Sequence, residues 1–245
     1  MEMNIKFPDF NLSRRKAIVT GASRGIGRAL ALGLVNAGAT VALTGREEKT
    51  LAEVAGQIET LGGNAVIQRM DVRDTEDIRQ GINECTRRME GLDILINNIE
   101  RGGWPVVHGR YDQQQWDLEM ETTLRAKRWV FDVALPHLKA TGDGSVINLS
   151  SIAGIVGRSG PAGLVFNEGY AAANRGISLL TETWARMGAP QVRVNEIMLG
   201  FFETRHAQKT RGWGLLTADQ KKEILDYTLL ALSVAIEDVV KAVNF

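Results

Sequence analysis

The sequence predicts an α/β protein, a doubly wound parallel sheet of six or seven strands with helices on both faces. Short apolar runs alternate with longer amphipathic segments along the chain, which is the pattern of consecutive βαβ units. A cluster of glycines separates the first apolar run from the first amphipathic segment, as where a parallel strand turns into its helix. No linker, repeat or low-complexity tract interrupts residues 1–245. We therefore expect a single domain, with residues 1–15 as an N-terminal extension.

The first strand, turn and helix predict a Rossmann-type dinucleotide site. Residues 17–20 form a short apolar strand, and an amphipathic helix then ends before Gly38. Between them, Gly21 permits a tight turn, Gly25 lets the backbone approach a pyrophosphate, and Gly27 lets the helix pack on the strand. Free N–H groups at the start of the helix attract the phosphates. The turn residues predicted to bind the cofactor are Gly21, Ser23, Arg24, Gly25, Ile26 and Gly27. The alternative is an ordinary βα turn.

The later elements follow the same alternation. Apolar runs predict the remaining strands at residues 40–44, 65–70, 92–96, 145–149 and 192–197. Amphipathic segments predict the intervening helices at residues 47–61, 74–89, about 113–139 and 169–187. The helix over residues 74–89 begins with acidic residues and ends with Arg87 and Arg88, as the helix dipole favours. Pro136 is expected to kink or end the long helix.

The composition excludes several classes of function. The chain has 29 basic and 29 acidic residues, so no net charge attracts nucleic acid or an anionic membrane. Cys85 is the only cysteine, which excludes an intramolecular disulfide and suits a reducing compartment. Residues 1–15 lack an apolar run, and no stretch has the length of a membrane span. We therefore expect a cytoplasmic protein without a signal peptide.

The end of the second strand indicates which dinucleotide binds. An acidic residue at this place holds the 2′-hydroxyl of NAD, whereas a basic residue suits the 2′-phosphate of NADP. Arg46 follows the strand with no acid before it, and we expect Arg24 in the glycine turn to reach the same phosphate. This pattern favours NADP(H) over NAD(H). The alternative is that Arg46 is a solvated loop residue.

Several motifs resemble those of the short-chain dehydrogenase/reductase family, in particular its 3-oxoacyl-carrier-protein reductase type. The matching stretches are residues 20–27, Asp71-Val72, Asn97-Asn98, residues 144–151, Tyr170 with the three alanines after it, and residues 193–195. The resemblance implies reduction of a ketone or 3-oxoacyl-type substrate with a nicotinamide cofactor. It places Asp71 and Val72 at the adenine, Asn98 beside the cofactor and Thr204 at the nicotinamide amide. The alternative for Asp71 is a cap on the next helix.

The resemblance also implies the catalytic residues. In the family a Ser hydroxyl holds the carbonyl oxygen and a Tyr hydroxyl supplies the proton. A Lys four residues after the Tyr binds the nicotinamide ribose and lowers the Tyr pKa, and an Asn on the preceding helix ties a water relay to that Lys. By position, Ser151 and Tyr170 match the Ser and Tyr, whereas Asn174 stands at the Lys position and Thr123 at the Asn position.

These two departures matter for the chemistry. Residues four apart share a helix face, and a phenol with its ordinary pKa near ~10 needs a nearby cation to exchange protons at neutral pH. Asn174 carries no charge. Ile99 and Glu100 also add bulk and charge where the family has small residues, and the stretch over residues 152–169 is longer. Two hypotheses therefore remain: an NADPH-linked reductase with an altered relay, or a catalytically impaired NADP-binding sensor or partner subunit.

The remaining expectations concern the substrate and the assembly. Residues from about 200 to 225 are expected to form a substrate lid. Its apolar side chains, with that of Trp104, suit an apolar or ring-bearing substrate, or else pack the lid on its own domain. Glu168 is a second candidate acid beside Tyr170. The three histidines lack ligand spacing, so we expect no structural zinc. The resemblance implies a homo-dimer or homo-tetramer formed through the long helices.

Overall fold

A single parallel sheet organises the molecule. The computed structural model describes residues 11–100, 113–201, 216–228 and 235–244. In these ranges six strands pair in parallel in the order β3-β2-β1-β4-β5-β6. The strands are β1 Lys16–Thr20, β2 Thr40–Gly45, β3 Ala65–Arg69, β4 Ile94–Asn97, β5 Gly144–Ser151 and β6 Val192–Leu199. The predicted doubly wound α/β fold is confirmed, and the predicted strand ends lie within two residues of those observed.

Helices join the strands and cover both faces of the sheet. They are α1 Gly25–Asn36, α2 Glu48–Thr60, α3 Thr75–Met89, α4 Gln113–Glu119, α5 Ala126–Thr141, α6 Ala153–Val156, α7 Glu168–Gly188, α8 Ala218–Asp226 and α9 Ile236–Asn244. A π-helical turn, Met120–Arg125, joins α4 to α5, and a 3₁₀ turn, Gly160–Leu164, lies between α6 and α7. None of the helices in the described ranges has both the length and the hydropathy needed to cross a bilayer.

Two hydrophobic layers enclose the sheet. Ala17 and Val19 of β1 belong to one layer, which includes apolar residues of α1, α2 and α9. Ile18, between them, belongs to the other layer, with residues of α3, α5 and α7. Because successive side chains of a strand point to opposite faces, a strand covered on both sides is apolar throughout. This explains why the central strands read as unbroken apolar runs in the sequence.

The irregularity of the long helical segment lies away from the proline. We expected Pro136 to kink or end this helix, but α5 continues through Pro136 to Thr141. The helix changes instead to π geometry at Met120–Arg125, three turns before the proline. Single π turns within α-helices are frequent at functional sites, and this one contains Thr123.

Candidate active site

The glycine turn after β1 forms a cradle that only glycine permits. Gly21 and Gly25 have positive φ angles of 66° and 55°, which L-residues with side chains rarely adopt. A Cβ on Gly27 would lie 2.3 Å from the carbonyl oxygen of Gly21, whereas one on Gly25 would meet nothing within 4 Å. The turn is therefore closed on the side of Gly27 and open at Gly25, the first residue of α1. This open helix start fits the diphosphate of a dinucleotide.

Asn98 ties the cradle to the neighbouring strand. Its side-chain amide donates to the carbonyl oxygen of Thr20 at 2.9 Å, and its backbone N–H donates to the Thr20 hydroxyl at 2.9 Å. That hydroxyl donates to the carbonyl oxygen of Ile96 at 3.1 Å. These bonds join the carboxyl ends of β1 and β4, where the strand order reverses and ligands of such sheets bind. Asn98 thus shapes the turn, while its direct contact with a cofactor stays a prediction.

Two exposed arginines lie beside the open end of the cradle. Arg24 is the residue before α1 and Arg46 directly follows β2. Ser23 and Ile26, also predicted to line the phosphates, are half-buried in the same turn.

The third strand ends in an ion pair at the expected adenine position. Arg73 donates from Nε to Asp71 Oδ1 at 3.0 Å and from Nη2 to Oδ2 at 2.5 Å. The hydrogen bonds from Arg73, followed by the smaller effect of the Arg46 charge, hold the pKa of Asp71 below its ordinary value. Asp71 does not cap α3, because the Asp74 side chain accepts from the N–H groups at its start. The helix-cap alternative is therefore wrong for Asp71, and Val72 follows it at the same edge.

Ser151 ends β5 at the carboxyl edge of the sheet. It is buried, and its hydroxyl oxygen accepts from the N–H of Ala153 at 3.2 Å. The preceding residue, Ser150, points to the other side and donates to Glu196 on β6. Ala153 belongs to a small hydrophobic cluster that includes Tyr170. The sheet edge therefore brings Ser151 and Tyr170 into one neighbourhood, although residues 152–169 separate them in the chain.

The hydroxyl of Tyr170 contacts a carboxylate. Tyr170 is 4% exposed, and its hydroxyl donates to Oε1 of Glu100, which lies in the segment after β4. Asn167 caps α7 by accepting from the backbone N–H of Tyr170 at 2.7 Å, which fixes the tyrosine on the first turn. Glu168, the other candidate acid, is exposed and lies 3.9 Å from the Arg158 guanidinium. Of these two carboxylates, Glu100 is the one that contacts the Tyr170 hydroxyl.

Asn174 turns back onto its own helix. Its side-chain amide donates to the backbone carbonyl oxygen of Tyr170 at 2.9 Å. The side chain is buried, and its Oδ1 has no hydrogen-bond partner among the described residues. An unsatisfied buried acceptor is costly, so this oxygen is suited to a donor such as a ribose hydroxyl. The next residue, Arg175, is exposed, so it does not bring its charge to this site.

Thr123 lies in the π turn that packs against α7. A Cβ on Gly176 would lie 2.8 Å from Leu124 Cδ1, which shows how closely the two segments approach. The Thr123 hydroxyl donates to Oε2 of Glu119 at 3.4 Å, and Asn167 donates to Oε1 of the same carboxylate at 3.3 Å. The position where the family carries a relay Asn is therefore linked, through Glu119, to the cap of the helix that bears Tyr170.

The sequence reasoning missed two buried charges near this site. Glu119 is 3% exposed and Lys127 is 1% exposed. The ammonium of Lys127 donates to the carbonyl oxygen of Leu149, two residues before Ser151, at 2.5 Å. Lys127 is one helical turn after Thr123, so it shares the face that Thr123 presents. A lysine within the apolar stripe of α5 was the signal that could have found it.

Part of the expected substrate wall lies within the described residues. Phe201 stacks on Phe166 with ring centroids 5.5 Å apart, and Leu216 is buried in the cluster that contains Tyr170. These two side chains pack on the domain beside the candidate acid, as the packing alternative expected. Thr204 and the aromatic residues Trp104, Phe202 and Trp213 lie outside the described residues.

The histidine that lies in the described ranges contacts a neighbouring helix. His137 on α5 contacts Asn83 of α3 through Nε2 at 2.7 Å, and His108 and His206 lie outside the described residues. Within the described ranges, no group of three or more His, Cys, Asp or Glu residues has a geometry that would hold a metal ion.

A family model now gives the assignment. The model described as short chain dehydrogenase matches residues 15–214, which is most of the chain and includes all the elements described above up to β6. The chain belongs to the short-chain dehydrogenase family.

Relatives of this short-chain dehydrogenase carry more specific names. This chain is 34% identical over 191 residues to the 3-oxoacyl-[acyl-carrier-protein] reductase of Staphylococcus aureus. The match covers 76% of this chain and 74% of that protein. The chain is also 34% identical over 205 residues to the gluconate 5-dehydrogenase of Gluconobacter oxydans, over 82% of this chain and 77% of that protein. The names of these two equally similar relatives refer to different substrates. Sequence identity alone therefore does not indicate the substrate of this chain.

A solved structure matches this short-chain dehydrogenase over almost its whole length. A putative short-chain alcohol dehydrogenase from Sinorhizobium meliloti superposes with a TM-score of 0.84 at 31% identity, covering 97% of this chain and 90% of that one. The fold and the family are therefore established by sequence and by structure together.

Proposed function

We propose that this protein is an NADPH-linked oxidoreductase that reduces a ketone or 3-oxoacyl-type substrate to an alcohol. The observation that carries the proposal is the neighbourhood of two buried hydroxyl groups, on Ser151 and Tyr170, at the edge of the sheet that bears the glycine cradle. Family membership supports the reaction class, and the relative named 3-oxoacyl-[acyl-carrier-protein] reductase supports the substrate class.

NADP is the preferred cofactor in this proposal. Gly21, Gly25 and Gly27 form the diphosphate cradle, and Asp71 with Val72 borders the adenine. Arg24 and Arg46 supply two exposed guanidinium groups for the 2′-phosphate, which binds planar bidentate donors well. Asn174 offers its unsatisfied Oδ1 to a hydroxyl of the nicotinamide ribose, and Thr204 is expected at the nicotinamide amide. A lone buried cysteine also suits the reducing cytoplasm, where we place the enzyme.

The side chains divide the remaining work. A nicotinamide cofactor held by the cradle would supply the hydride for the carbonyl carbon. Ser151 accepts a hydrogen bond from the Ala153 N–H, which leaves its own proton available to the carbonyl oxygen of the substrate. Tyr170 gives its phenolic proton to that oxygen. The buried cluster around Tyr170 keeps water from the developing charge and strengthens both hydrogen bonds.

We test the proposal by the turnover of two probes with NADPH, acetoacetyl-coenzyme A and an alicyclic ketone such as cyclohexanone. The wild-type protein should bind NADPH more tightly than NADH and consume it with at least one of the probes. Tyr170→Phe removes the proton donor but keeps the ring, and should lower kcat by at least about 100-fold while NADPH binding is retained. Turnover that survives this substitution would refute the assigned role of Tyr170.

A non-catalytic NADP-binding sensor or partner subunit is the second candidate. The observation that favours it is the inward turn of Asn174, which supplies no cation to Tyr170. This candidate predicts NADPH binding without turnover in the wild type and a gain of turnover in Asn174→Lys. Measurable wild-type turnover decides against it. For either function we expect a homo-dimer or homo-tetramer, which sedimentation velocity measures directly.

A further inference from the structure

We infer that Glu100 and Tyr170 form a concerted two-proton relay that replaces the relay built on lysine in the family. This inference rests on the proposed function, because it assigns Tyr170 the proton transfer to the substrate. The contact that carries it joins the Tyr170 hydroxyl to Oε1 of Glu100. The Glu100 side chain is half-buried, so it connects the buried phenol to the outside of the site.

The relay solves the problem that Asn174 creates. A phenol with its ordinary pKa near ~10 is ionised in only about one molecule in a thousand at pH 7, which is why a neighbouring cation normally stabilises the phenolate. A carboxylate beside the phenol has the opposite effect on a free phenolate. If one proton arrives at the phenol oxygen as the other leaves, however, no full phenolate forms and no cation is needed.

The proton steps balance in both directions. In alcohol oxidation the hydride leaves the carbinol carbon for the nicotinamide, the hydroxyl proton of the alcohol moves to Tyr170 Oη, and the phenolic proton moves to Glu100. With Glu100 ionised, the phenol is the donor in this contact, so the carboxylate is positioned to receive the phenolic proton. In reduction the same path is reversed: Glu100 starts protonated, gives its proton to Oη as the phenolic proton passes to the carbonyl oxygen, and regains a proton from solvent.

Other charged groups near Tyr170 are bonded to other partners. On α4, Glu119 is bonded to Thr123 and Asn167. On α5, Lys127 donates to the Leu149 carbonyl oxygen. On α7, Glu168 lies toward Arg158 at the surface. Glu100 accepts directly from the Tyr170 hydroxyl, which places its carboxylate on the path of the phenolic proton.

Glu100→Gln is the decisive variant, because glutamine keeps the shape and the acceptor oxygen but cannot relay a proton. We expect kcat for the better of the two ketone probes to fall about 100-fold, with the KM and the NADPH affinity changed less than threefold. In mixtures of H₂O and D₂O, two protons in flight give a curved dependence of kcat on deuterium content in the wild type. Glu100→Gln should give a smaller and linear dependence, which a merely structural role of Glu100 would not produce.

Glu182→Gln is the matched control, since it removes an exposed carboxylate of the same helix, about three turns after Tyr170. Its kcat should equal that of the wild type.

Urea unfolding of Glu100→Ala, Tyr170→Phe and the double variant, without cofactor, gives an independent readout of the contact. If the contact exists in solution, the midpoint of the double variant should be lowered by less than the sum of the two single losses.

Several outcomes would overturn the relay, and they differ from a failure of the proposed function. If Tyr170→Phe abolishes turnover but Glu100→Gln does not lower kcat, the relay is wrong and the proposed function stands. A faster Glu100→Gln enzyme would show that Glu100 obstructs the phenol, which also refutes the relay. A wild-type protein without turnover refutes the relay together with the function on which it rests. Additive midpoint losses would show that the contact itself is absent in solution.

Discussion

The two halves of the sheet differ in how far they follow the family pattern. The half with β1–β3, residues 16–89, keeps every glycine of the turn and builds its site mainly from backbone. The half with β4–β6, residues 94–199, has Ser151 and Tyr170 at the positions predicted for catalysis, but Asn174, Thr123 and Glu100 stand where the resemblance predicts other residues. A backbone cradle is limited by steric contact, so almost any side chain breaks it. A proton path made of side chains admits other donors and acceptors of similar reach.

The largest expected effect comes from closing the cradle. Gly27→Ala places a Cβ 2.3 Å from a backbone oxygen that has no flexible end to move aside. Either the turn or α1 must shift, and the phosphate site shifts with it. We expect NADPH affinity, measured by the change in its fluorescence on binding, to fall at least about 100-fold. The fold itself, monitored by far-ultraviolet circular dichroism, should persist at low temperature.

Gly56→Ala is the control for that change. Gly56 lies within α2 and a Cβ there would meet nothing within 4 Å, so the variant should gain stability by about 0.5–1 kcal/mol and bind NADPH as the wild type does. If Gly27→Ala binds NADPH normally, the steric account of the cradle is wrong.

A smaller effect is expected at the arginine after β2. Arg46→Asp reverses the charge at the place assigned to the 2′-phosphate and should lower the ratio of NADPH to NADH affinity by about 10- to 100-fold. This range corresponds to the loss of a charged hydrogen bond worth ~1.5–3 kcal/mol. Arg79→Asp makes the same charge change on the exposed side of α3 and should leave the ratio unchanged. If the ratio of NADPH to NADH affinity is the same in the two variants, Arg46 is a solvated loop residue that does not bind the 2′-phosphate.

The same contrast explains what could be predicted from the sequence. The alternation of apolar runs predicted the sheet, because strands covered on both faces must be apolar at every position. The glycine spacing predicted the cradle, because steric requirements act on neighbouring residues. The buried pair Glu119 and Lys127, and the contact of Glu100 with Tyr170, depend on residues from different elements that meet only at the sheet edge. No local sequence pattern predicts contacts between residues of different elements. The sequence analysis therefore identified Glu100 only as a bulky, charged residue beside the cofactor site.

The single cysteine can be used as a probe of packing in the half of the molecule that carries the cradle, residues 16–89. Cys85 is fully buried on α3, in the layer with Ile18 and Met70, and burial raises the pKa of its thiol to about 12. Because the folded pKa lies above the unfolded value near ~8.5, the unfolded chain releases this proton first. The contribution of the thiol to stability is therefore fully present below pH ~8.5 and is lost progressively as the pH rises from there to about 12. At pH 8 the folded protein therefore holds its cysteine as an unreactive thiol.

We expect Ellman's reagent to modify native Cys85 at least about 100-fold more slowly than the same thiol in urea, since reaction requires this half of the molecule to open. Saturating NADPH should slow the reaction further, because a ligand that binds only the closed form lowers the population that opens. Cys85→Ser gives the blank. Rapid native labelling that NADPH does not change would mean that the cofactor half opens independently of its ligand. The claim that the cradle half is rigid, in contrast to the adaptable proton path, would then be wrong.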